Sequence, residues 1–147
     1  MNHDPSQSND VSSEDRPWRI LGIHHVAFAS SDEGPGDALA NVLGLRCEHA
    51  EEAEGFLEEM IPVGNASLQL LTATGPGTVA TYLERRGPGL HHVALLVNDV
   101  DAITSDLCAR GVDMVDRVPR PGGAGTRIAF AHPRAFGGML IEFVEES

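Results

Sequence analysis

The sequence Gly-Leu-His-His-Val-Ala-Leu-Leu-Val-Asn-Asp-Val at positions 89–100 has a near copy at positions 22–30, Gly-Ile-His-His-Val-Ala-Phe-Ala-Ser. Each copy opens with a His-His pair and continues with residues that are typical of strands. The second histidines of the pairs, His25 and His92, are 67 positions apart. A repeat at a fixed distance indicates two copies of one structural unit. We therefore predict an equivalent imidazole position in each copy.

The charge balance of the 147-residue chain excludes one large class of partners. Its 22 acidic residues outweigh 10 basic ones, all of them arginine, and the net charge is −12. A nucleic-acid surface needs clustered positive charge, so we expect no nucleic-acid partner. The length and a hydrophobic content of 41% suit one globular domain.

Composition also predicts the domain boundary and the location. Residues 1–18 are polar and rich in Ser, Asp and Asn, so we predict a disordered N-terminal tail followed by a single domain over residues 19–147. No apolar run approaches membrane length, and no signal segment is evident, so we expect no membrane association.

Cys47 and Cys108 form no CxxC pattern. We interpret them as small buried residues of a reduced protein, which predicts a cytoplasmic location.

The first copy of the repeat belongs to a module predicted over residues 20–73. Its first strand, Ile20–Ala29, alternates so that His25 shares a face with small residues, as expected for the lining of a cavity. The rest of the module is predicted to contain a helix (Asp37–Leu43), a short strand (Arg46–His49), an acidic loop (Glu51–Glu54) and two hairpin strands (Gly55–Val63 and Ala66–Thr72).

The predicted hairpin fixes which of its side chains share a face. Gly64-Asn65 is a suitable two-residue turn, and it places Met60 opposite Gln69. Because strand side chains alternate, Glu58 and Gln69 point to one face and Glu59 points to the other.

A helix predicted at Thr78–Arg86, within a linker over residues 74–88, leads to a second module at residues 89–145. This module repeats the order of the first. It is predicted to contain a strand (Leu90–Val97), a helix (Val100–Arg110) and three further strands (Val112–Asp116, Thr126–His132 and Met139–Val144), with a Pro/Gly-rich loop at Pro119–Gly125. A one-sided sheet must bury its apolar face against another layer. The predicted fold is therefore α+β, with two paired βαβββ modules that form a curved sheet around a shared cleft.

Four polar side chains occupy inward strand positions. His25 and Gln69 come from the first and last strands of module one, and His92 and Glu142 come from the matching strands of module two. A carboxylate in the apolar run Met-Leu-Ile-Glu-Phe-Val is costly when desolvated and unpaired, so Glu142 needs a compensating partner. Two imidazoles, a carboxylate and an amide oxygen suit a divalent ion such as Co²⁺, Zn²⁺, Ni²⁺, Mn²⁺ or Fe²⁺. An ion with open positions polarises a carbonyl group.

Each candidate also has a structural interpretation. A single strand histidine is more often hydrogen-bonded than metal-bound, and only the duplication favours ligation. The alternative for Glu142 is a pairing with an arginine in place of a metal, and Glu58 is equally well a surface residue on an edge strand. Arg127 is either a partner for an anionic substrate group or a solvated surface residue. His132, which precedes a proline, is interpreted as structural.

Longer stretches around these residues carry a family resemblance. They are Gly-Ile-His-His-Val-Ala at 22–27, Gly-Asn-Ala-Ser-Leu-Gln-Leu-Leu at 64–71, Tyr-Leu-Glu-Arg-Arg-Gly-Pro-Gly-Leu-His-His-Val-Ala at 82–94, Arg-Pro-Gly-Gly-Ala-Gly-Thr-Arg-Ile-Ala-Phe-Ala-His-Pro at 120–133 and Gly-Gly-Met-Leu-Ile-Glu at 137–142. With these motifs the sequence resembles the vicinal oxygen chelate superfamily over residues 20–145, and within it the methylmalonyl-CoA epimerases.

The resemblance implies a metal-dependent epimerase that inverts the carbon alpha to the thioester of an acyl-CoA, in the first place methylmalonyl-CoA, by a 1,1-proton transfer. It implies metal ligands at His25, Gln69, His92 and Glu142, with Co²⁺ first among the ions, and a homodimer. It also implies Glu142 as one catalytic base and Glu58 as the other. Inversion needs a proton donor and acceptor on opposite faces of the carbon, together with stabilisation of charge on the thioester oxygen.

Two segments beside the expected cleft depart from the family pattern. The helix region 34–43 is one residue short and lacks an aromatic pair, and residues 72–77 lack an acidic-proline pattern. The substrate therefore stays open, and the alternative is a glyoxalase I-type lyase or another enzyme of the superfamily. A catechol dioxygenase is disfavoured because Gln69 crowds the site. A non-enzymatic small-molecule binder is disfavoured because such proteins usually lack metal ligands, whereas all four candidate ligands are present in this sequence.

Overall fold

Two β-α-β-β-β modules follow one another along the chain, and a helix joins them. The computed structural model describes residues 15–147. Module one contains β1 (Ile20–Ser30), α1 (Gly34–Leu43), β2 (His49–Ala53), β3 (Phe56–Val63) and β4 (Ala66–Ala73). The joining helix is α2 (Thr78–Arg86). Module two contains β5 (Gly89–Val97), α3 (Val100–Ala109), β6 (Arg120–Pro121), β7 (Arg127–Phe130) and β8 (Ile141–Glu145), with short 3₁₀ helices at Gly123–Gly125 and Pro133–Phe136.

All eight strands of the described residues belong to one mixed sheet in the order β2-β3-β4-β1-β5-β8-β7-β6. The first strands of the two modules, β1 and β5, pair antiparallel at its centre. Each of them also pairs in parallel with the last strand of its own module. The modules thus join edge to edge, which leaves β2 and β6 as the edges of the sheet. The sheet curls into a half-barrel around a cleft, so the predicted fold class is confirmed.

The helices cover the sheet through separate core clusters. α3 packs onto β5, β7 and β8, whereas α2 packs onto β1 and β4 through Val79. α3 begins after Asp99, whose side chain accepts a hydrogen bond from the Ala102 N–H and caps the helix. α1 ends at Gly44, where a φ of 70° favours glycine. The predicted end of α1 is thus confirmed, while its start lies earlier than predicted, at Gly34.

Trp18 belongs to the folded part of the chain. Its side chain is in the core cluster under α3, where the residue is 5% exposed, and its Nε1–H donates a hydrogen bond of 2.9 Å to Asp106 Oδ2. The predicted tail at residues 1–18 is therefore too long at its C-terminal end, because the indole contributes buried apolar area to module two. Residues 1–14 of that predicted tail lie outside the described residues.

The β3–β4 hairpin has the predicted register. Met60 pairs with Gln69, and Gly64 adopts a φ of 62° in the two-residue turn between the strands. Paired residues point to the same face of a sheet, and alternate residues along a strand do so as well. Glu58 therefore lies on the concave face together with Gln69, whereas Glu59 lies on the convex face.

The structure differs from the prediction at the edge of module one. β2 covers His49–Ala53, whereas the sequence analysis placed a strand at Arg46–His49 and a loop after it. Glu51 and Glu52 therefore belong to an edge strand that pairs with β3. Charged side chains are tolerated there because an edge strand remains open to solvent, and they discourage further strand pairing.

Module two has less strand than predicted. The strand expected at Val112–Asp116 is reduced to an isolated bridge at Met114, and β6 is a two-residue strand inside the predicted loop. The prediction of buried cysteines is also wrong, because Cys47 is exposed and Cys108 is half-buried. Both are free thiols.

Candidate active site

The concave face of the sheet lines a cavity of about 630 Å³. His25, Gln69, His92 and Glu142 all contribute to its lining, and so does Glu58. The first four residues are buried, with exposed fractions between 4% and 7%. The structure therefore brings the four proposed metal ligands and Glu58 to one cavity that both modules form.

The four buried polar residues stand in two neighbouring rows of paired strand positions. The rows are Gln69–Ala27–His92, across β4, β1 and β5, and His25–Ala94–Glu142, across β1, β5 and β8. Both central alanines have 0% exposure, and their small side chains leave room for the polar groups on either side. A larger side chain at either alanine would occupy the space between the two modules.

Three of these side chains converge on one point. His25 Nε2 lies 3.1 Å from His92 Nε2, and the two nitrogens lie 3.0 Å and 3.3 Å from Glu142 Oε1. The ligand atoms of this triad all lie within 4.8 Å of one another. Two imidazoles and one carboxylate are donors that divalent transition metals bind well.

Two buried oxygen atoms at this site lack a hydrogen bond. One is Glu142 Oε1, which makes none despite its closeness to two imidazole nitrogens, and the other is Gln69 Oε1. A buried polar atom without a partner costs about 1–3 kcal/mol, and a charged one costs more. A cation bound by the triad would compensate Glu142 Oε1, so the donors of the triad fit a divalent metal ion.

The protonation state of Glu142 also suits a ligand. Burial raises the pKa of its carboxyl, but His25 and His92 beside it reverse the shift and lower the pKa to about 2. The group is therefore a carboxylate at neutral pH. Phe130 packs edge-on against the His92 ring, with the ring centroids 5.3 Å apart, and adds an apolar wall to the triad.

Each imidazole of the triad is hydrogen-bonded by the histidine that precedes it. His24 Nδ1 lies 2.7 Å from His25 Nδ1, and His91 Nδ1 lies 2.8 Å from His92 Nδ1. A hydrogen bond at Nδ1 fixes the orientation of an imidazole and leaves its Nε2 atom to face the triad. Metal-binding histidines commonly have such a partner on the second nitrogen.

His24 and His91 are site residues that the sequence analysis missed. Strand alternation places both on the convex face, but the β1–β5 pairing skips one residue at each of these positions. Such bulges redirect a side chain, and both histidines line the cavity. Burial, and then the neighbouring histidine, lower the pKa of both, that of His91 to about 4. The repeated His-His pair is the sequence signal that would have indicated them.

Glu58 provides a second carboxyl in the same cavity. Burial raises the pKa of this group, the charge of Glu51 raises it further, and a hydrogen bond with Gln69 opposes the shift. β3 lies inside the sheet, next to the edge strand β2. The alternative interpretation of Glu58 as a surface residue on an edge strand is therefore wrong.

Two other candidates from the sequence lie outside the lining of this cavity. Arg127 pairs with Asp101 through both of its terminal nitrogens on the exposed surface. His132 Nδ1 accepts a hydrogen bond of 3.1 Å from the Arg134 N–H and caps the second 3₁₀ helix. Both residues thus have the structural roles that were considered for them.

A second cavity of about 540 Å³ adjoins the first. The two share Thr78, His91 and His92 in their linings. The second cavity then continues over the end of α2, where Arg85 and Arg86 are exposed. Within residues 15–147, neither arginine has an ion-pair partner. The two adjoining cavities are together called the trough below, with Glu58 and Glu142 in the lining of the first and Arg85 and Arg86 in the lining of the second.

Comparison with known proteins assigns the chain to a superfamily. Residues 24–130 match the model of the Glyoxalase/Bleomycin resistance protein/Dioxygenase superfamily. An uncharacterised protein of Bacillus subtilis (strain 168) is 40% identical over an alignment of 113 positions that covers 71% of this chain and 77% of that protein. Methylmalonyl-CoA epimerase from Mycobacterium tuberculosis is 34% identical with a TM-score of 0.82, covering 87% of this chain and 89% of that one. A methylmalonyl-CoA epimerase in complex with methylmalonyl-CoA and NH4+ is 32% identical with a TM-score of 0.83, covering 88% and 96%.

The chain belongs to the Glyoxalase/Bleomycin resistance protein/Dioxygenase superfamily, whose fold is that of the vicinal oxygen chelate enzymes. Within it, the chain is a member of the methylmalonyl-CoA epimerase family and thus an isomerase. Both levels of the resemblance seen in the sequence are confirmed. Among residues 15–147, no helix combines the length and the hydropathy that crossing a membrane requires.

Proposed function

We propose that this protein is a metal-dependent epimerase of an acyl-CoA thioester, namely methylmalonyl-CoA. One observation carries the proposal: the buried triad His25, His92 and Glu142 shares its cavity with a second carboxyl, Glu58. Inversion at a carbon requires a proton acceptor and a proton donor on its two faces, and charge must be stabilised on the neighbouring oxygen. The likeness to an epimerase in complex with methylmalonyl-CoA supports this substrate.

The proposed metal ligands are His25, Gln69, His92 and Glu142. Co²⁺ is the first candidate, and Zn²⁺, Ni²⁺, Mn²⁺ and Fe²⁺ bind similar donor sets. When bound, the ion would act as a Lewis acid and stabilise negative charge on the thioester oxygen. The buried oxygens of Gln69 and Glu142 that lack hydrogen bonds support the ligand roles.

Two carboxyls divide the proton transfer between them. The α-proton of a thioester is far less acidic than a carboxylic acid, so its removal needs charge stabilisation in the transition state. Glu142, which is ionised, accepts this proton as the C–H bond breaks on one face of the carbon. Glu58 donates a proton to the opposite face as the new C–H bond forms. The roles exchange in the reverse direction, and proton exchange with solvent restores both carboxyls.

The trough suits a thioester with a small acid at one end and phosphates at the other. The acyl group would lie at the triad, between the two carboxyls. The exposed guanidinium groups of Arg85 and Arg86 in the lining of the second cavity are donors for the phosphates of CoA. The chain as a whole carries a net charge of −12 and repels polyanions. The two arginines therefore favour binding of the CoA phosphates at this end of the trough.

The decisive test follows the α-proton in D₂O. We expect the metal-loaded protein to interconvert the epimers of methylmalonyl-CoA while deuterium enters C2. Protein stripped with a chelator is expected to lose both activities, and added Co²⁺ is expected to restore them, as measured by mass spectrometry and NMR of the thioester. If the loaded protein produced neither inversion nor exchange, the epimerase function would be wrong. Turnover of a hemithioacetal instead would favour the glyoxalase I-type lyase.

We also propose that the protein forms a homodimer. The outer face of α1 and the start of β5 expose large apolar side chains, with exposed fractions of 78% for Val42, 65% for Leu43 and 69% for Leu90. Burial of this patch against a second copy would remove apolar area from water. Light scattering is expected to give twice the chain mass of 15.7 kDa, and Leu43→Asp is expected to shift the protein towards the monomer. A wild-type protein that stays monomeric at micromolar concentration would contradict this.

A cytoplasmic location is part of the same proposal. Cys47 and Cys108 are free thiols, and Cys47 is exposed. Exposed unpaired thiols are typical of reducing compartments, which supports this location.

A further inference from the structure

The two edges of the sheet are connected across the mouth of the cavity. Glu51 lies on the edge strand β2, and Ala124 follows the opposite edge strand β6. The Ala124 N–H donates a hydrogen bond of 2.9 Å to Glu51 Oε1, although the two residues are 73 positions apart. This hydrogen bond closes the half-barrel on the side of the cavity that holds Glu58.

The turn at Gly122–Gly125 is tied to Thr126. The Gly122 N–H donates to the Thr126 carbonyl at 2.9 Å, and the Thr126 hydroxyl donates to the Gly123 carbonyl at 2.7 Å. Ala124 has a φ of 55°, a conformation that a residue with a Cβ adopts only at some cost. The hydrogen bond to Glu51 uses the N–H of this strained residue and therefore helps to hold the turn in place.

Gly123 brings the same turn directly onto the second carboxyl. A Cβ atom at Gly123 would lie 2.7 Å from Glu58 Oε1 and 3.1 Å from Glu58 Oε2. A side chain at this position would therefore require either the turn or the Glu58 carboxyl to move. The turn thus forms a roof over Glu58 and limits where its carboxyl can point.

Glu51 and Glu58 are also direct partners in the β2–β3 pairing. Like charges in this arrangement destabilise a sheet unless other groups compensate them. Here His49 Nε2 lies 2.7 Å from Glu51 Oε1, the same oxygen that accepts the Ala124 N–H. Hydrogen bonding by Ala124, and then by His49, lowers the pKa of Glu51. Glu51 is therefore a charged acceptor directed at the turn.

We propose that Glu51 is a positioning residue that clasps the Gly122–Gly125 turn over the cavity and thereby fixes the Glu58 carboxyl for proton transfer. This role rests on the epimerase function proposed above. Because Glu51 acts only by holding the turn over Glu58, its loss is expected to lower kcat. KM depends on the arginine end of the trough, which the clasp does not form.

The test compares Glu51→Ala with Glu51→Gln in the metal-loaded full chain. Alanine removes the acceptor of the Ala124 N–H, whereas glutamine retains an oxygen at the same position. We expect Glu51→Ala to speed amide hydrogen exchange in residues 122–126 and to lower kcat about 10-fold, with KM within about 2-fold, because small displacements of a reacting group are costly. Glutamine is expected to restore slow exchange and most of kcat.

Two further variants complete the design. Gly123→Ala places a methyl group against the Glu58 carboxyl while Glu51 is intact, so either the turn or the carboxyl must shift, and it is expected to lower kcat in the same way. Glu52→Ala is the matched control, because Glu52 is a neighbouring acid on the same strand that points to the other face. It is expected to leave amide exchange and kcat unchanged. Thermal unfolding followed by circular dichroism shows whether each variant is folded.

The outcomes separate the clasp from the proposed function. Unchanged amide exchange in Glu51→Ala would overturn the clasp, and faster exchange with unchanged kcat would overturn the positioning role. A Glu51→Gln variant as impaired as Glu51→Ala would also overturn it, since the acceptor is present. If the wild-type protein did not epimerise its substrate, the proposed function would fail. The amide exchange measurement, which needs no substrate, would still decide whether the clasp exists.

Discussion

Replacement of Glu142 by glutamine is expected to abolish epimerisation and to weaken metal binding strongly. Glutamine preserves the size of the side chain on β8 but removes the negative charge between His25 and His92. With the roles proposed above, the site then loses both its anionic ligand and one proton acceptor. We expect kcat to fall by about 1,000-fold or more, since proton transfer and charge stabilisation are lost together. Steady-state kinetics and the metal content after dialysis measure the two effects separately.

Glu145→Gln is the matched control for this substitution. Glu145 lies on the same strand, and its Oε1 atom accepts a hydrogen bond of 3.0 Å from the Val100 N–H, which glutamine can also accept. This variant is expected to keep its metal content and its kcat. A Glu142→Gln protein with the metal content of the wild type would remove Glu142 from the ligand set. One with the kcat of the wild type would remove it as a base.

Replacement of Glu58 by glutamine is expected to stop inversion but to leave the metal in place. Glu58 lies outside the triad of His25, His92 and Glu142, so the affinity for the ion is expected to stay within about 10-fold of the wild type, as for a group next to the ligands. We expect kcat for epimerisation to fall about 100- to 10,000-fold, the range for a lost acid or base. With the roles proposed above, Glu142 still serves one face of the carbon. The variant is therefore expected to exchange the α-proton of one epimer with D₂O and to leave the other epimer unlabelled.

The comparison for this variant is Glu59→Gln. Glu59 is the next residue on β3, and it points to the convex face of the sheet. Its replacement is expected to change neither inversion nor exchange. If Glu58→Gln exchanged the protons of both epimers at equal rates, or inverted them as fast as the wild type, Glu58 would not be the second base.

The cluster at the centre of the sheet was predictable because it depends on short-range rules. Alternation along β1 and β5 decides that His25 and His92 share a face with small residues, and a two-residue turn fixes the register of Gln69. The repeat then relates the two modules without any knowledge of how they pack. Glu142 was recognisable because a carboxylate in an apolar strand is costly without a partner.

The missed features depend on segments that are far apart in the chain. His24 and His91 turn inward because the β1–β5 pairing contains bulges, and the position of a bulge is decided by the partner strand. Glu51 lies in an acidic stretch of low strand propensity, and it becomes part of a strand only because β3 pairs with it. Its hydrogen bond to Ala124 forms only when the sheet curls. Sequence patterns within one segment contain none of this information.

The antiparallel pairing of β1 with β5 brings His25 of module one next to His92 and Glu142 of module two, so each module contributes part of the candidate metal site. An ion held there would act as a cross-link along the midline of the enzyme, so its occupancy and the cohesion of the two halves are linked equilibria. At a free concentration of about 100 times its Kd, such an ion would add about 2.7 kcal/mol to that cohesion. Loss of the ion would thus lower the free energy of unfolding by about the same amount.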